Sequence, residues 1–332
     1  MSILSKKYFH DEAAAFAHLE NIIWGDKPVC PKCGHDERIY KLEGVRSKPS
    51  KKNPEGVERH GLKKCGACRK QFTVRVGTVF ESSHVPLTKW LQAAYLMMSS
   101  KKGISSKQLE RTLEVTYKTA WFMSHRLREA MAGGSMPTMG GEGAVIEIDE
   151  TYIGNKMTKK ERVRTATRYE RLPNGKIKKT TRRGYGHKHT VVSLVERGGN
   201  VRSFHVASAS ATKVSEILHA NADTKSRLMT DESRIYKAVG LDYASHERVV
   251  HARHEYVRGD VTTNTIEGYF SIFKRGMKGI YQHCSEKHLH RYLAEFDFRY
   301  NNRERLGVND MGRTEAALQG IVGKRLTYRR VN

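Results

Sequence analysis

Two pairs of cysteines constrain the fold of the amino-terminal part of this chain more than any other feature. The first pair is Cys30 and Cys33, the second is Cys65 and Cys68, and 31 residues lie between the pairs. Such pairs place four thiolates on two tight turns, which is the arrangement of a closed tetrahedral zinc site. A thiol–disulfide enzyme normally needs only one pair. The pattern predicts one structural Zn²⁺, and the remaining Cys284 is interpreted as a packing or surface thiol.

The charge balance indicates a polyanionic partner. The 332 residues include 60 Lys and Arg against 35 Asp and Glu, a formal net charge of +25. Such an excess gains affinity for nucleic acid by displacing counterions from phosphates. A membrane surface would call for a basic amphipathic helix or a lipidation signal, and we find neither. A signal peptide and a long apolar span are also missing, so we expect a cytosolic protein, or a nuclear one.

Helical periodicity marks two stretches of the amino-terminal part. A lead helix is predicted from Asp11, which can cap it, to Trp24. A second helical stretch begins at Pro86, and two more helices are predicted from Ser105 to Leu113 and from Tyr117 to Met131. This order is typical of a helix-turn-helix that binds DNA. A three-helix packing module without that role explains the pattern equally well.

Strand patterns follow a Gly-rich linker at residues 133–143. Strands are predicted at 144–149, 189–195, 201–206, 227–230 and 248–251, and helices at 212–222, 263–277 and 289–300. We interpret the order as three strands, helix, strand, helix, strand, helix, which matches a ribonuclease H-like core with a mixed sheet. The predicted α/β chain comprises a lead helix (1–26), a zinc ribbon (27–83), a small helix-turn-helix-like module (84–135) and a catalytic domain (140–332).

A strongly basic insertion separates the first two predicted strands of the core. Residues 155–186 contain 12 Lys and Arg but only two acids, which is too polar for a core. The charge favours a basic arm over DNA, and a solvated hairpin is the alternative. The predicted DNA contacts in this segment are Lys159, Lys160, Arg182 and Arg183.

Three acids occupy the positions that phosphodiester chemistry requires in such a core. Asp149 ends the first strand, Asp231 follows the strand at 227–230, and Glu267 lies on the helix at 263–277. Two cations about 4 Å apart neutralise a scissile phosphate and activate a hydroxyl, and they need hard oxygen ligands. The sequence therefore predicts a catalytic triad that holds two Mg²⁺ or Mn²⁺ ions.

Other polar residues surround these acids in the sequence. Lys274 lies two helical turns after Glu267, on the same face, so we expect it to contact a DNA phosphate together with Arg275. Asn264 shares the face of Glu267 and is the reserve third catalytic residue. Glu150 and Glu232 adjoin the two aspartates and are possible substitutes for them, although strand alternation turns Glu150 to the opposite face.

Together these motifs resemble the IS1595-like (ISXO2-like) family of bacterial insertion-sequence transposases, of the DDE type. The resemblance rests on Trp24, Cys30-Pro31-Lys32-Cys33-Gly34, Cys65-Gly66-Ala67-Cys68, Ile148-Asp149-Glu150-Thr151-Tyr152, Thr230-Asp231, Asn264-Thr265-Ile266-Glu267-Gly268, Lys274-Arg275 and His288-Leu289-His290-Arg291-Tyr292. It implies an enzyme that binds inverted-repeat ends and catalyses metal-dependent cleavage and 3′-OH strand transfer into target DNA. Asp149, Asp231 and either Glu267 or Asn264 would be catalytic. Synapsis of two ends implies a homo-oligomer on DNA, in a cytoplasmic, nucleoid-associated bacterial protein.

Two other functions remain open on the sequence alone. A tyrosine recombinase is suggested by His288 and Arg291 with Tyr328 as the nucleophile, and it would form a covalent DNA adduct without metal. The same histidine and arginine are explained more simply by a packed helix. A zinc-ribbon DNA-binding protein without catalysis is the second alternative.

Overall fold

The computed structural model describes residues 2–51, 53–133, 137–154, 167–181 and 188–327. The chain forms two compact units, one of Met1–Gly133 with Asn302–Asn332 and one of Gly134–Asn301. No helix in the described part of the chain is both long and apolar enough to cross a lipid bilayer.

Eight α-helices and twelve strands are found among the described residues. The helices are α1 (Glu12–Trp24), α2 (Leu87–Ser99), α3 (Ser106–Leu113), α4 (Tyr117–Met131), α5 (Ala211–Asn221), α6 (Asn264–Gly276), α7 (Glu286–Asn301) and α8 (Asp310–Gln319). The strands are β1 (Ile39–Lys41), β2 (Lys63–Cys65), β3 (Gln71–Phe72), β4 (Val145–Ile153), β5 (Thr167–Arg171), β6 (Ile177–Thr181), β7 (His189–Glu196), β8 (Val201–Val206), β9 (Arg227–Thr230), β10 (Ser245–Arg248), β11 (Val257–Arg258) and β12 (Val261–Thr262).

Side-chain caps define the starts of the helices in the first unit. Asp11 accepts a hydrogen bond from the backbone N–H of Ala14 at 2.7 Å, which confirms the predicted lead helix. Ser105 and Thr116 cap α3 and α4 in the same way. The turn between α3 and α4 contains Glu114 in the left-handed conformation, with φ at 51°. The predicted helices are therefore confirmed, whereas their role as a DNA reader stays a prediction.

The carboxy-terminal segment belongs to the first unit, whereas the division predicted from the sequence groups it with the catalytic domain. Ala317, Leu318 and Ile321 are buried. Arg313 donates a hydrogen bond to the carbonyl of Met98 at 2.8 Å, and Val79 donates to the carbonyl of Ile321. These are long-range contacts, and the local periodicity of α8 carries no information about which unit supplies its partner.

The second unit is built on a five-stranded mixed sheet of order β10-β9-β4-β7-β8. Strand β4 lies in the middle, antiparallel to β7 and parallel to β9. Helix α5 covers one face, where Val214 and Leu218 pack against Ile148. Helices α6 and α7 cover the other, where Phe273 and Leu293 belong to a second apolar core. This confirms the α/β class and the mixed sheet.

Three predicted elements of the second unit were wrong in extent or kind. Strand β4 continues to Ile153, so Asp149 lies within the strand rather than at its end, because β7 pairs with β4 along its whole length. The strand predicted at 248–251 is instead β10, an edge strand of half-exposed polar residues without clear alternation. The helix expected between β9 and β10 is replaced by two 3₁₀ turns, Arg234–Tyr236 and Val239–Asp242.

A buried ion pair positions the start of α6 against β4. Glu147, which is fully buried, accepts hydrogen bonds from Nε of Arg197 at 2.6 Å and from the backbone N–H of Ile266 at 2.9 Å. The Arg197 guanidinium also donates to the carbonyl oxygens of Asp260 and Thr262, each at 2.7 Å. One arginine therefore joins the central strand to the segment that leads into α6.

Replacing Arg197 by Met should lower the free energy of unfolding by about 3–5 kcal/mol, because Glu147 would remain buried without its cationic partner. Chemical denaturation at neutral pH measures the change. Arg227→Met is the matched control, since Arg227 pairs with Glu247 and Asp260 at a partly exposed site. Partly exposed ion pairs of this kind contribute about 1 kcal/mol or less. Equal losses of unfolding free energy in the two variants would therefore contradict a stabilising role for the buried pair.

Candidate active site

Asp149 lies on the face of β4 that α6 covers, the same face as Glu147. Its Oδ1 accepts a hydrogen bond from the backbone N–H of Glu150 at 2.7 Å. Burial, and then the negative charges of Glu150, Asp231 and Glu267, raise the pKa of Asp149 to about 8. A positive charge beside Asp149 would therefore favour the ionised form of its carboxyl.

Asp231 follows β9 directly and lies beside Asp149 across the sheet. The parallel pairing joins Glu147 to Met229, so two residues farther along each strand the same register reaches Asp149 and Asp231. Oδ1 of Asp231 accepts a hydrogen bond from the backbone N–H of Ser233 at 2.9 Å. Burial raises the pKa of the Asp231 carboxyl above its ordinary value. The parallel strands thus bring together two acids that are 82 residues apart.

Glu267 occupies the first turn of α6, where its side chain is about half exposed. Its Oε1 accepts a hydrogen bond from the hydroxyl of Thr263 at 2.9 Å. Asn264, the first residue of the helix, is exposed, and its backbone N–H donates to the Thr262 hydroxyl. Glu267 lines the cleft that also contains Asp149, whereas Asn264 is not among the lining residues.

The cleft above Asp149 has one acidic and one basic side. Its lining residues are Asp149, Glu267, Phe270, Ser271, Lys274, Arg275, Lys278 and Gly279. The basic residues extend from α6 into a π-helical turn, Met277–Tyr281. Desolvation lowers the pKa of Lys274, and the negative charges of Asp149 and Glu267 partly oppose this. The structure therefore brings Lys274 and Arg275 to the same cleft as two of the predicted catalytic acids.

The two alternative acids are held by other groups. Glu150 accepts a hydrogen bond from the hydroxyl of the buried Tyr236. Glu232 accepts from the backbone N–H groups of His251 and Ala252, at 2.9 and 3.2 Å. Neither acid is among the residues that line the cleft with Asp149 and Glu267, and Glu150 lines a neighbouring cavity together with Lys274.

His251 is a residue near the acids that the sequence reasoning missed. Its Nε2 lies 3.6 Å from Oε1 of Glu267, and its ring packs against Tyr256 with centroids 5.2 Å apart. Its charge also favours the ionised form of Asp231 and so opposes the rise in the pKa of that carboxyl. The residue begins a 3₁₀ turn, His251–Arg253, and not the end of a strand. A single histidine without a spacing motif gives no sequence signal for such a position.

The four paired cysteines converge as predicted. Sγ of Cys30 lies 3.7 Å from Sγ of Cys68, and Sγ of Cys33 lies 3.6 Å from Sγ of Cys65. All four sulfur atoms lie within 4.8 Å of one another. Thiolates at about 2.3 Å from a zinc ion are about 3.8 Å apart in a tetrahedron, whereas a disulfide would need about 2 Å. The donor set therefore fits Zn²⁺.

The local backbone at the second cysteine pair favours the thiolate of Cys65. Hydrogen bonds from the backbone N–H of Cys68 and then of Ala67 lower the pKa of the Cys65 thiol. Gly34 adopts φ of +73°, which a residue with a side chain rarely accepts. Strand β2, which ends at Cys65, lies between β1 and β3 in a three-stranded antiparallel sheet.

Some residues singled out in the sequence lie outside the described part of the chain. These are Lys159, Lys160, Arg182 and Arg183 of the basic insertion and the Tyr328 of the recombinase alternative. The described part of the insertion is an antiparallel hairpin of β5 and β6 whose Tyr169 and Ile177 are exposed. His288 and Arg291 lie one turn apart on α7 and contact each other at 2.7 Å.

Comparison with known proteins gives two domain matches and one curated relative. Residues 140–301 match the ISXO2-like transposase domain, and residues 10–71 match the transposase zinc-ribbon domain. The chain is 31% identical over 301 residues to a protein from Halobacterium salinarum described as an uncharacterized protein in transposable element ISH50. The aligned region covers 88% of this chain and 92% of the relative.

A solved structure of low similarity is the cryoEM structure of the simian T-cell lymphotropic virus intasome in complex with PP2A regulatory subunit B56 gamma. The match has a TM-score of 0.28 and 14% identity, and covers 57% of this chain. This chain spans 63% of the matched chain, less than two thirds of its length. A similarity this low supports no conclusion about fold or function.

Proposed function

This chain belongs to the IS1595-like (ISXO2-like) family of transposases, and from that premise we propose that it is a DDE transposase. It binds the inverted-repeat ends of an insertion sequence, cleaves the DNA and transfers the freed 3′-OH into target DNA. The observation that carries the proposal is that burial and the negative charges of nearby acids, Asp231 and Glu267 among them, raise the pKa of Asp149, which lines a cleft with Glu267, Lys274 and Arg275.

The fold supports this assignment of the three acids. We propose a ribonuclease H-like core, because the sheet has its first strand, β4, in the centre and its parallel partner β9 beside it. In such a core the acids lie on the first strand, just past the fourth, and on a later helix. Asp149, Asp231 and Glu267 occupy those positions, with α6 held to β4 by the Glu147 contact.

The donor set suits two Mg²⁺ or Mn²⁺ ions. Carboxylate oxygens are the ligands that hard divalent cations prefer, and burial together with the negative charges of neighbouring acids raises the pKa of Asp149. When bound, the two cations neutralise the scissile phosphate and activate the attacking hydroxyl. Asp149 and Asp231 would hold them from the sheet and Glu267 from the helix. Lys274 and Arg275 contact DNA phosphates and hold the strand in register.

The first unit and the basic insertion of the second unit contribute DNA binding in this proposal. The zinc ribbon and the helices α2 to α4 bind the element end, and the basic insertion 155–186 lies along the DNA. The insertion contains 12 Lys and Arg against two acids, and this excess of positive charge supports a contact with DNA. Pairing of two ends requires a homo-oligomer on DNA.

End cleavage tests the function and the third ligand together. We expect the full chain to nick a labelled duplex that ends in the element's inverted repeat in Mg²⁺ but not in EDTA. Glu267→Gln should reduce the rate at least about 10²-fold, because a carboxylate ligand is lost. Asn264→Ala is the matched control on the same helix turn and should stay within about threefold, since Asn264 does not line the cleft.

Three results would contradict the proposal in distinct ways. Loss of activity in Asn264→Ala but not in Glu267→Gln would move the third role to Asn264. DNA binding without cleavage in the unaltered protein would indicate a DNA-binding protein without catalysis. Cleavage that survives EDTA with a covalent protein–DNA adduct would indicate a tyrosine recombinase.

A further inference from the structure

Two histidines and a glutamate converge on the sheet face that α6 and α7 cover. His189 begins β7, His205 lies near the end of β8, and Glu286 is the first residue of α7. Nδ1 of His189 lies 3.7 Å and Nε2 of His205 lies 3.8 Å from Oε1 of Glu286. The three ligand atoms all lie within 4.8 Å of one another. Apart from the four cysteines, this is the only such group among the described residues.

The strand register holds the two imidazoles in place. Val191 on β7 is paired with His205 on β8, so His189, two residues earlier, lies diagonally across on the same face. The ring centroids are 5.3 Å apart and the ring planes meet at 72°. The side chains of His189 and His205 are 6% and 19% exposed, and that of Glu286 is 59% exposed. Rigid strands thus supply two ligands, and the third lies at the solvent side.

The distances match a coordination polyhedron better than they match hydrogen bonds. Separations of 3.7 and 3.8 Å are too long for N–H···O hydrogen bonds. Nitrogen and oxygen ligands at about 2.0–2.1 Å from Zn²⁺ are about 3.4 Å apart in a tetrahedron, so the two separations to Glu286 exceed that value by only a few tenths of an ångström.

We propose that His189, His205 and Glu286 bind a second Zn²⁺ ion, in addition to the one at the four cysteines. Two imidazoles and one carboxylate form a common zinc donor set and leave a fourth position for water. The site fastens the first residue of α7 to β7 and β8. It thereby anchors the segment 277–285, which connects α7 to the helix that carries Glu267 and Lys274.

This site is distinct from the acidic cleft. His189 is paired with Ile153, which lies four residues beyond Asp149 on β4, a separation of about 13 Å along a strand. The two histidines also add nitrogen ligands, which favour Zn²⁺ over the Mg²⁺ proposed for the three carboxylates. The proposal therefore stands whether or not the chain cleaves DNA.

Zinc content of the full chain tests the proposal. The protein is loaded with Zn²⁺, dialysed against excess Mg²⁺ so that carboxylate-only sites hold Mg²⁺, and assayed by elemental analysis. We expect two zinc ions per chain in the unaltered protein, and one in His205→Ala and in Glu286→Gln. His219→Ala is the matched control, because His219 faces a single carboxylate, that of Asp242, at an exposed site, and it should retain two.

Substitution with Co²⁺ distinguishes the two sites by their absorption, and the unfolding transition shows whether a variant is folded. Co²⁺ at the cysteines gives thiolate-to-metal charge transfer, and Co²⁺ at the second site adds d–d absorption without it. We expect Glu286→Gln, whose substitution is conservative and exposed, to lose only the second component and to keep the unfolding transition of the metal-free protein. One zinc per chain in the unaltered protein, or two in both His205→Ala and Glu286→Gln, would overturn the proposal.

Discussion

Replacing Asp149 by Asn should reduce Mg²⁺-dependent cleavage of an element end at least about 10³-fold, while it stabilises the metal-free protein. The loss of rate follows because Asp149 is the central carboxylate of the cluster, and removing several kcal/mol of charge stabilisation corresponds to that factor. The gain in stability follows because burial, and then the like charges of the neighbouring acids, raise the pKa of Asp149 to about 8.

The pH dependence of this stabilisation has a definite sign. The pKa of Asp149 rises from 3.8 to about 8 on folding, so the unfolded chain releases this proton at lower pH than the folded chain does. The stability that the protonated carboxyl contributes is fully present below about pH 4 and is lost as the pH rises through about 8. The amide of the Asp149→Asn variant carries no such charge. The free energy of unfolding of the variant should therefore exceed that of the unaltered protein most at and above about pH 8, by a few kcal/mol at most.

Thermal unfolding with and without Mg²⁺ at several pH values measures these effects, with cleavage assayed in parallel. Mg²⁺ should stabilise the unaltered protein and leave Asp149→Asn unchanged. Glu150→Gln is the control, because this neighbouring acid is bound by Tyr236 on the opposite face of the strand. It should retain cleavage within about tenfold. Equal loss in the two variants, or a less stable Asp149→Asn protein at about pH 8, would contradict the assignment.

Features of the chain that depend on local chemistry could be predicted from the sequence. The spacing of the cysteines predicts their convergence, and the side chains of Asp11 and Ser105 predict where α1 and α3 begin. The position of Asp231 directly after a strand also follows from a short apolar run. For Asp11, Ser105 and Asp231 the stabilising interaction lies within a few residues along the chain. For the cysteines, the tetrahedral zinc site itself requires four ligands.

Features that depend on register and packing could not be predicted in this way. His189 and His205 become neighbours because β7 and β8 pair antiparallel, and Glu286 joins them only when α7 packs on that face. Likewise, the half-exposed edge strand β10 has little alternation, and the turn that brings His251 to Glu267 carries no motif. These placements arise from contacts between distant segments, for which one sequence supplies no direct signal.

Replacing Cys65 by Ser should unfold the zinc ribbon and eliminate zinc binding at the four cysteines. The ribbon has three strands of two or three residues each. Its core consists of Cys30, Cys65 and Phe72, supported by a few partly buried side chains. Without the metal, so small an apolar core does not offset the entropy of ordering the chain. A structural zinc site supplies about 10 kcal/mol or more of binding free energy, which becomes folding free energy.

Hydrogen exchange of the backbone amides tests this expectation, because it measures the loss of structure within the ribbon itself. Protection of residues 63–72 should disappear in Cys65→Ser and in the chelator-treated protein, while the amides of β4 and β7 in the second unit keep theirs. Cys284→Ser is the control, because this cysteine lies outside the four-thiol group and its removal should leave ribbon protection unchanged. Retained protection in Cys65→Ser would show that the apolar contacts of Phe72 and its neighbours suffice, and the cysteines would then be dispensable for the ribbon fold.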